Sequence, residues 1–290
     1  MIKIAIASGK GGTGKTFFST NLYKVMKQNG FNVGVIDCDA EVPNAALFLK
    51  GEELGTWPVK VFCPQMETEK CIYCAQCADI CHFHAITCIP SAKYVKILPD
   101  LCHACQACLH VCPSGAIVPG AKEVGKVTAY GDNSHCHLIE ARIKEGEHSP
   151  VPVIRDAIQH GEEIGWDYLI LDAPPGCACP FVNTVKDADM VILITEPTPF
   201  GLSDLKHTVN VLRQFGKPYQ VVINRADIGD GKVKDYLEAE HIGLMAEVPY
   251  SEQIASLYSQ GKLAVEAELK MNQLFTRLMN KILQNESCNH

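Results

Sequence analysis

Apolar runs at strand length alternate with stretches of helical period over most of this chain. Ile2-Lys3-Ile4-Ala5-Ile6-Ala7 reads as a strand closed by Ser8-Gly9. A helix follows from Thr16, with Phe18, Leu22, Val25 and Met26 on one face and Gly30 as its stop. A second strand, Val33–Asp37, ends in acids. Further runs at Tyr168–Asp172, Met190–Thr195 and 220–224 are each followed by polar residues, Gly or Pro. Strands apolar on both faces and alternating with helices predict an α/β fold with a mostly parallel sheet covered on each side. Near the C-terminus, Met271, Leu274, Phe275, Leu278, Met279, Ile282 and Leu283 make an amphipathic stripe on a helix. Its polar face carries only Arg277 and Lys281, too little charge for an anionic lipid surface, so packing on the domain's own core is expected.

The alternation breaks over residues 61–119. That segment has no arginine and seven charged residues, and it repeats internally: Ala85-Ile86 and Ala116-Ile117 fall at equivalent places. The expected organisation is one discontinuous domain, 1–60 and 120–290, with a small α+β module inserted at 61–119. Residues 120–131 are expected to be the return linker.

Composition narrows the choice. The 290 residues are 47% hydrophobic, as in ordinary globular proteins, with a formal net charge of −7. No basic block or aromatic platform is present, which speaks against a nucleic-acid partner. There is no apolar run of spanning length, and the N-terminus reads as a strand rather than a secretion signal. Ten of the fifteen cysteines lie between Cys63 and Cys112.

Eight of those ten form two quartets, Cys71-x2-Cys74-x2-Cys77-x3-Cys81 and Cys102-x2-Cys105-x2-Cys108-x3-Cys112-Pro113. This is the spacing of bacterial two-cluster ferredoxins, in which the fourth cysteine of each run ligates the other run's cluster. Cys71, Cys74, Cys77 and Cys112 would hold one [4Fe–4S] cube, and Cys102, Cys105, Cys108 and Cys81 the other. Zinc sites pair their cysteines differently, across a knuckle. Such clusters imply a reducing cytoplasm and, given oxygen sensitivity, an anaerobic prokaryote. His82 stands where the second quartet has its proline. With His84 it could tune a cluster by hydrogen bonding, although packed or solvated histidines are the commoner case.

Gly9-Lys10-Gly11-Gly12-Thr13-Gly14-Lys15-Thr16 matches G-x-x-x-x-G-K-[ST] between a strand and a helix. Backbone N–H groups of the loop would cradle phosphates, Lys15 would neutralise them, and the Thr16 hydroxyl would bind Mg²⁺. The same glycines spell a dinucleotide fingerprint with Asp37 at a ribose distance, but that reading does not require the Lys-Thr pair. Asp172 ends an apolar strand before Ala173-Pro174-Pro175-Gly176 and suits a Walker-B metal ligand. Asp37 and Asp39 end the second strand, and one of them can face the metal and the attacking water.

Lys10 sharpens the picture. The loop resembles the deviant Walker-A motif of the MinD/ParA ATPases, a group that includes the nitrogenase iron protein and Mrp-type cluster carriers. More narrowly, the chain resembles MinD-superfamily ATPases with an inserted ferredoxin domain. Asp37-Cys38-Asp39-Ala40-Glu41-Val42-Pro43-Asn44 is similar to that family's switch I. Asp172 to Gly176, Cys179-Pro180 and Thr195-Glu196-Pro197-Thr198-Pro199-Phe200-Gly201-Leu202 are similar to its later motifs. The resemblance implies a slow, Mg-dependent ATPase acting as a homodimer, with Lys10 reaching the partner's nucleotide. It implies Asp39 as the water-positioning acid and Asn224 as the reader of adenine. Phe17, Arg225, Pro249 and Tyr250 would belong to the same ATP site, beside Gly11, Gly12, Thr13 and Gly14.

Cys177-Ala178-Cys179 follows the segment that resembles switch II, and Cys179 matches the spacing of the iron protein's cluster-binding cysteine. Across a two-fold axis the two cysteines could gather four thiolates for a metal or a further cluster; otherwise they are small residues filling a turn. Cys38, Cys63, Cys88 and Cys136 read as small hydrophobes, with Cys88 near a cluster, and Cys288 lies in a polar tail. Three functions remain open: ATP-gated electron transfer through two clusters to a redox partner or metal centre, cluster or metal carriage at Cys177 and Cys179, and MinD-like positioning with redox-sensing clusters.

Overall fold

A computed structural model describes residues 1–133 and 135–287; Cys288 lies outside them. Strand β1 (Ile2–Ala7) leads through the glycine-rich loop into α1 (Lys15–Gln28), and β2 (Val33–Asp37) follows. The long β3 (Glu52–Phe62) then leaves the domain. Beyond it come β4 (Gln65–Met66), α2 (Gln76–Asp79), β5 (Ile86–Ile89), β6 (Tyr94–Ile97), α3 (Ala107–Val111) and β7 (Ile117–Val118). The chain returns by β8 (Ala121–Asp132) and β9 (His135–Ile143) to α4 (Val151–Ile164) and β10 (Tyr168–Asp172). The remainder alternates: α5 (Cys179–Val185), β11 (Met190–Thr195), α6 (Pro199–Gln214), β12 (Tyr219–Asn224), α7 (Lys232–Ala239) and β13 (Leu244–Val248). Helices α8 (Glu252–Ser259), α9 (Ala264–Ala267) and α10 (Leu269–Ser287) close the chain.

Among the described residues these strands form a nine-stranded sheet in the order β13-β12-β11-β1-β10-β2-β9-β8-β3. It is parallel from β13 to β9 and antiparallel at the β9-β8-β3 end. The expected mostly parallel α/β fold is therefore present. The expected linker at 120–131 is not: those residues are β8, paired along β3 on one side and β9 on the other.

Each sheet face carries its own core. One buries Ile36, Val153, Ile154, Phe181, Leu205 and Val233 under α4 to α7. The other buries Phe18, Leu22, Met26, Met271, Phe275 and Ile282 under α1 and α10. The C-terminal stripe thus packs inward, with Phe275 in edge and tilted contact with Phe17 and Phe18. Among the described residues no helix is long and apolar enough to cross a membrane.

Residues between Cys63 and Gly120 stand apart, joined at a neck where Cys63 N–H donates to Gly120 C=O. Their two short sheets exchange partners, β4 with β7 and β5 with β6. Among the described residues their buried centre is small: Cys77, Ile86, Cys108 and Ile117 cluster together, and Ala85 and Ala116 are also buried. So small an apolar core is a weak basis for independent stability.

Candidate functional site

The nucleotide-type site sits at the C-terminal ends of the parallel strands, where an open α/β sheet places its ligands. Gly12 and Gly14 have φ of 75° and 101°, a conformation that glycine adopts without Cβ strain. Gly9 is equally constrained by space: a Cβ there would lie 2.7 Å from Asp204 on α6. The loop is therefore held against α6 and leads into the N-terminus of α1, where unpaired N–H groups favour anions.

Parallel pairing puts Asp37 beside Asp172, with Ile6 on the other side of Asp172. Both acids are fully buried. Asp172 Oδ1 lies 3.0 Å from Ser19 Oγ, while Oδ2 has no partner. Burial pushes the Asp172 carboxyl up to about 6, against the pull of Thr16, Lys15 and Ser19. The same burial lowers the Lys15 ammonium, opposed by Asp172, Asp39 and Asp37. Thr13 Oγ1 is likewise buried without a partner. Orphaned oxygens beside a desolvated lysine fit a phosphate and a hard divalent cation, which takes oxygen ligands.

Asp37 and Asp39 differ in availability. Asp37 accepts from the backbone N–H of Asn44 and Ala45, both at 2.8 Å, and of Asp39 at 3.1 Å. It is the brace of the 38–45 loop. Its carboxyl is held well above the usual range by burial and then by Asp172. Asp39 is half-buried; burial raises its carboxyl, and Lys15 opposes the shift. That leaves Asp39 as the acid free to face an incoming ligand.

Beside the loop, a recess of about 730 Å³ is lined by Gly12, Gly14, Phe17, Asn224, Arg225, Pro249 and Tyr250. Seven positions expected around the nucleotide thus meet in one place. Asn224 lines this recess while its Nδ2 donates to Thr13 C=O at 2.8 Å and its Oδ1 accepts from Arg225 N–H at 3.0 Å. Its polar atoms brace the phosphate loop. Tyr258, which also lines the recess and stacks on Phe48 at 4.6 Å, carries no motif that sequence reading could have caught. Lys10 pairs within its own chain, Nζ to Glu196 at 2.9 Å, and Glu196 also holds Arg225 at 2.6 Å.

The quartet cysteines fall into two recesses in crossed order. Cys71, Cys74, Cys77 and Cys112 line one of about 300 Å³, with Cys88 as a fifth thiol. Cys81, Cys102, Cys105 and Cys108 line the other, of about 350 Å³. Tyr73, Ala75 and His84 take left-handed φ in the first half, and Ala104, Gln106 and Gly115 do so at the corresponding positions of the second. Side chains with a Cβ hold this conformation at a cost of about 1–2 kcal/mol each, so its repetition marks a constrained site. The curl turns backbone N–H groups toward sulfur: Tyr73 N lies 3.4 Å from Cys71 Sγ, and Ala85 N 3.2 Å from Cys81 Sγ. Backbone donors, four thiols and an apolar lining suit an iron–sulfur cube. Among the described residues no three His, Cys, Asp or Glu side chains converge closely enough to hold a single metal ion. His82 and His84 are exposed.

Cys177 Sγ lies 3.2 Å from Thr208 Oγ1 on α6, whereas Cys179 opens α5 and is exposed. Cys38 and Cys63 are buried and Cys136 is half-buried.

A family profile described as "CobQ/CobB/MinD/ParA nucleotide binding domain" matches residues 4–265. The chain is 30% identical to an uncharacterized protein of Methanocaldococcus jannaschii, over 94% of each. It is 25% identical to an iron-sulfur cluster carrier protein of Pyrococcus horikoshii, over 85% of this chain and 73% of that one. The MinD cell division protein of Aquifex aeolicus superposes with a TM-score of 0.60 at 17% identity, covering 98% of this chain and 97% of that one. At that identity the likeness is one of fold.

Proposed function

The chain belongs to the CobQ/CobB/MinD/ParA nucleotide-binding family, and from that premise we propose an ATP-driven dimer switch coupled to an inserted module with two [4Fe–4S] clusters that relays electrons to a partner protein. The reading rests chiefly on the sorting of eight cysteines into two crossed recesses. Each cube, when bound, supplies one-electron storage. The chain supplies four thiolates, N–H donors to sulfur and an apolar cover from residues such as Ile86 and Ile117, all of which tune potential.

At the nucleotide, Lys15 and the loop N–H groups neutralise phosphate oxygens. Thr16 and Asp172 would hold Mg²⁺, which offsets charge on the β- and γ-phosphates. Asp39 orients the attacking water. Lys10, released from Glu196, would complete the partner's site across a two-fold axis, so hydrolysis requires a homodimer. A second reading has the switch carry a cluster or metal at Cys177 and Cys179; exposed Cys179 and the likeness to an iron-sulfur cluster carrier favour it.

An EPR-monitored redox titration of anaerobically purified protein, with and without MgATP, separates the two. Electron relay predicts two [4Fe–4S] signals and a nucleotide-dependent shift beyond about 59 mV, a tenfold coupling for a one-electron couple. No shift, with excess iron lost in a Cys177→Ala/Cys179→Ala variant, would move the assignment to carriage. Protein lacking cluster iron would sink both cluster assignments of the module.

A further inference from the structure

The inserted module touches the ATPase body in a second place, away from its neck and beside one recess. Strand β9 runs next to β2, with Glu140 opposite Asp37. At its end, Ile143 N–H donates to Ala40 C=O at 2.9 Å, and Ala40 directly follows Asp39. The chain beyond β9 is held along its length. Lys144 N–H donates to Val124 C=O at 2.9 Å, and Glu147 pairs with Lys122 at 2.8 Å, both side chains mostly buried.

His148 then reaches the module. Its Nε2 lies 3.0 Å from Asp100 C=O, so that nitrogen donates. Its ring lies parallel to His103, with centroids 5.9 Å apart. His103 in turn stacks on Phe83 at 3.9 Å. Phe83 and His103 both line the recess of Cys81, Cys102, Cys105 and Cys108. The residue of the first repeat that corresponds to His103 is Ile72, which is 63% exposed.

A path of hydrogen bonds, chain and ring contacts therefore runs from Asp39–Ala40 at the nucleotide site to the wall of one cysteine recess. We propose that residues 143–148 form a coupling strap, with His148 as the positioning residue that transmits displacement of the 38–45 loop to the second recess. The inference rests on the two-cluster reading for its consequence, since one cluster would then feel the nucleotide state and the other would not. Its mechanical content stands on the backbone and ring contacts alone. Mg²⁺ and a γ-phosphate arriving beside Asp39 supply the differential interaction that moving the loop requires.

Hydrogen-exchange mass spectrometry on the full chain, under MgADP and under a non-hydrolysable MgATP analogue, tests this. Amides at 98–105 are expected to change protection between the two nucleotides by about two- to thirtyfold, the span of coupling seen for residues along such networks. Those at 68–74 are expected to stay constant. His148→Ala, a surface substitution outside the nucleotide site, should abolish the difference while nucleotide affinity is retained. No difference at 98–105 in the natural chain, or one that survives His148→Ala, would overturn the strap. A strap-dependent difference in protein that binds no cluster iron would instead defeat the cluster reading and leave the strap standing. In cluster-loaded protein, His148→Ala should also remove any nucleotide-induced change in the EPR spectrum of the affected cluster.

Discussion

Asp172 shows how a single carboxyl can oppose the fold until its ligand arrives. Its pKa is raised to about 6, mainly by burial. A carboxyl whose folded value lies above its unfolded one binds more protons when folded, so its stabilising contribution is complete below about 3.8 and is lost as pH rises through about 6. Nucleotide-free protein should therefore carry a penalty of at most about 2–3 kcal/mol at pH 8 from this group. Asp172→Asn should raise the melting temperature of nucleotide-free protein more at pH 8 than at pH 5, and MgATP should stabilise the natural chain more than the variant. Equal shifts at both pH values in thermal melts would refute the account. Ala75 and Ala104 offer a separate residue-scale check, because both hold left-handed φ. Ala75→Gly should be neutral or stabilising by up to about 1 kcal/mol in denaturant titrations, the reverse of glycine's usual effect. The sequence made the loop lysines and strand-end acids legible because chemistry fixes their spacing. It could not reveal that Asp37 braces a loop, or that the Asn224 amide turns to Thr13, since both depend on contacts remote in the chain.

At the scale of elements, what was legible was whatever kept a clean period. Strands β1, β2, β10, β11 and β12 are buried on both faces and read as apolar runs. Strand β8 is not legible in the sequence, because Gly125 and Gly131 lie within it and imitate a linker. Gly125 is there for space: a Cβ would come within 2.5 Å of Arg142 C=O on β9. The paired strands β3 and β8 form the neck on which the cysteine-rich segment is carried. The apolar stripe of helix α10 faces the core, and its centre is Phe275, wholly buried against Phe17 and Phe18. Phe275→Ala should cost about 3–5 kcal/mol by loss of transfer free energy and creation of a cavity. Because Phe17 also lines the nucleotide recess, the variant should weaken ATP binding as well as lower the denaturant midpoint. Unchanged stability would mean that α10 does not pack as described.

At the scale of the whole molecule, the proposed dimer must contend with a contact inside each protomer. Lys10, which the resemblance assigns to the partner's nucleotide, is ion-paired with Glu196, whose other oxygen holds Arg225. Lys10 and Glu196 keep 31% and 10% of their side-chain surfaces exposed. Water screens the Lys10 end, and Arg225 remains to hold the mostly buried Glu196 carboxylate, so releasing Lys10 costs about 1 kcal/mol. So weak a restraint can bias the dimer equilibrium but cannot block it, and an exchange of partners for Lys10 from Glu196 to a phosphate is energetically open. Glu196→Gln should therefore raise the MgATP-dependent dimer fraction by only a few-fold in apparent association constant, about what this energy converts to. Lys10→Ala should abolish dimer-dependent hydrolysis while leaving nucleotide binding by the protomer intact, because Lys15 and the loop amides remain. Analytical ultracentrifugation with and without MgATP, beside a hydrolysis assay across protein concentration, reads both effects. Hydrolysis first-order in protein for the natural chain, or a Lys10→Ala variant that still turns over normally, would show that each protomer works alone.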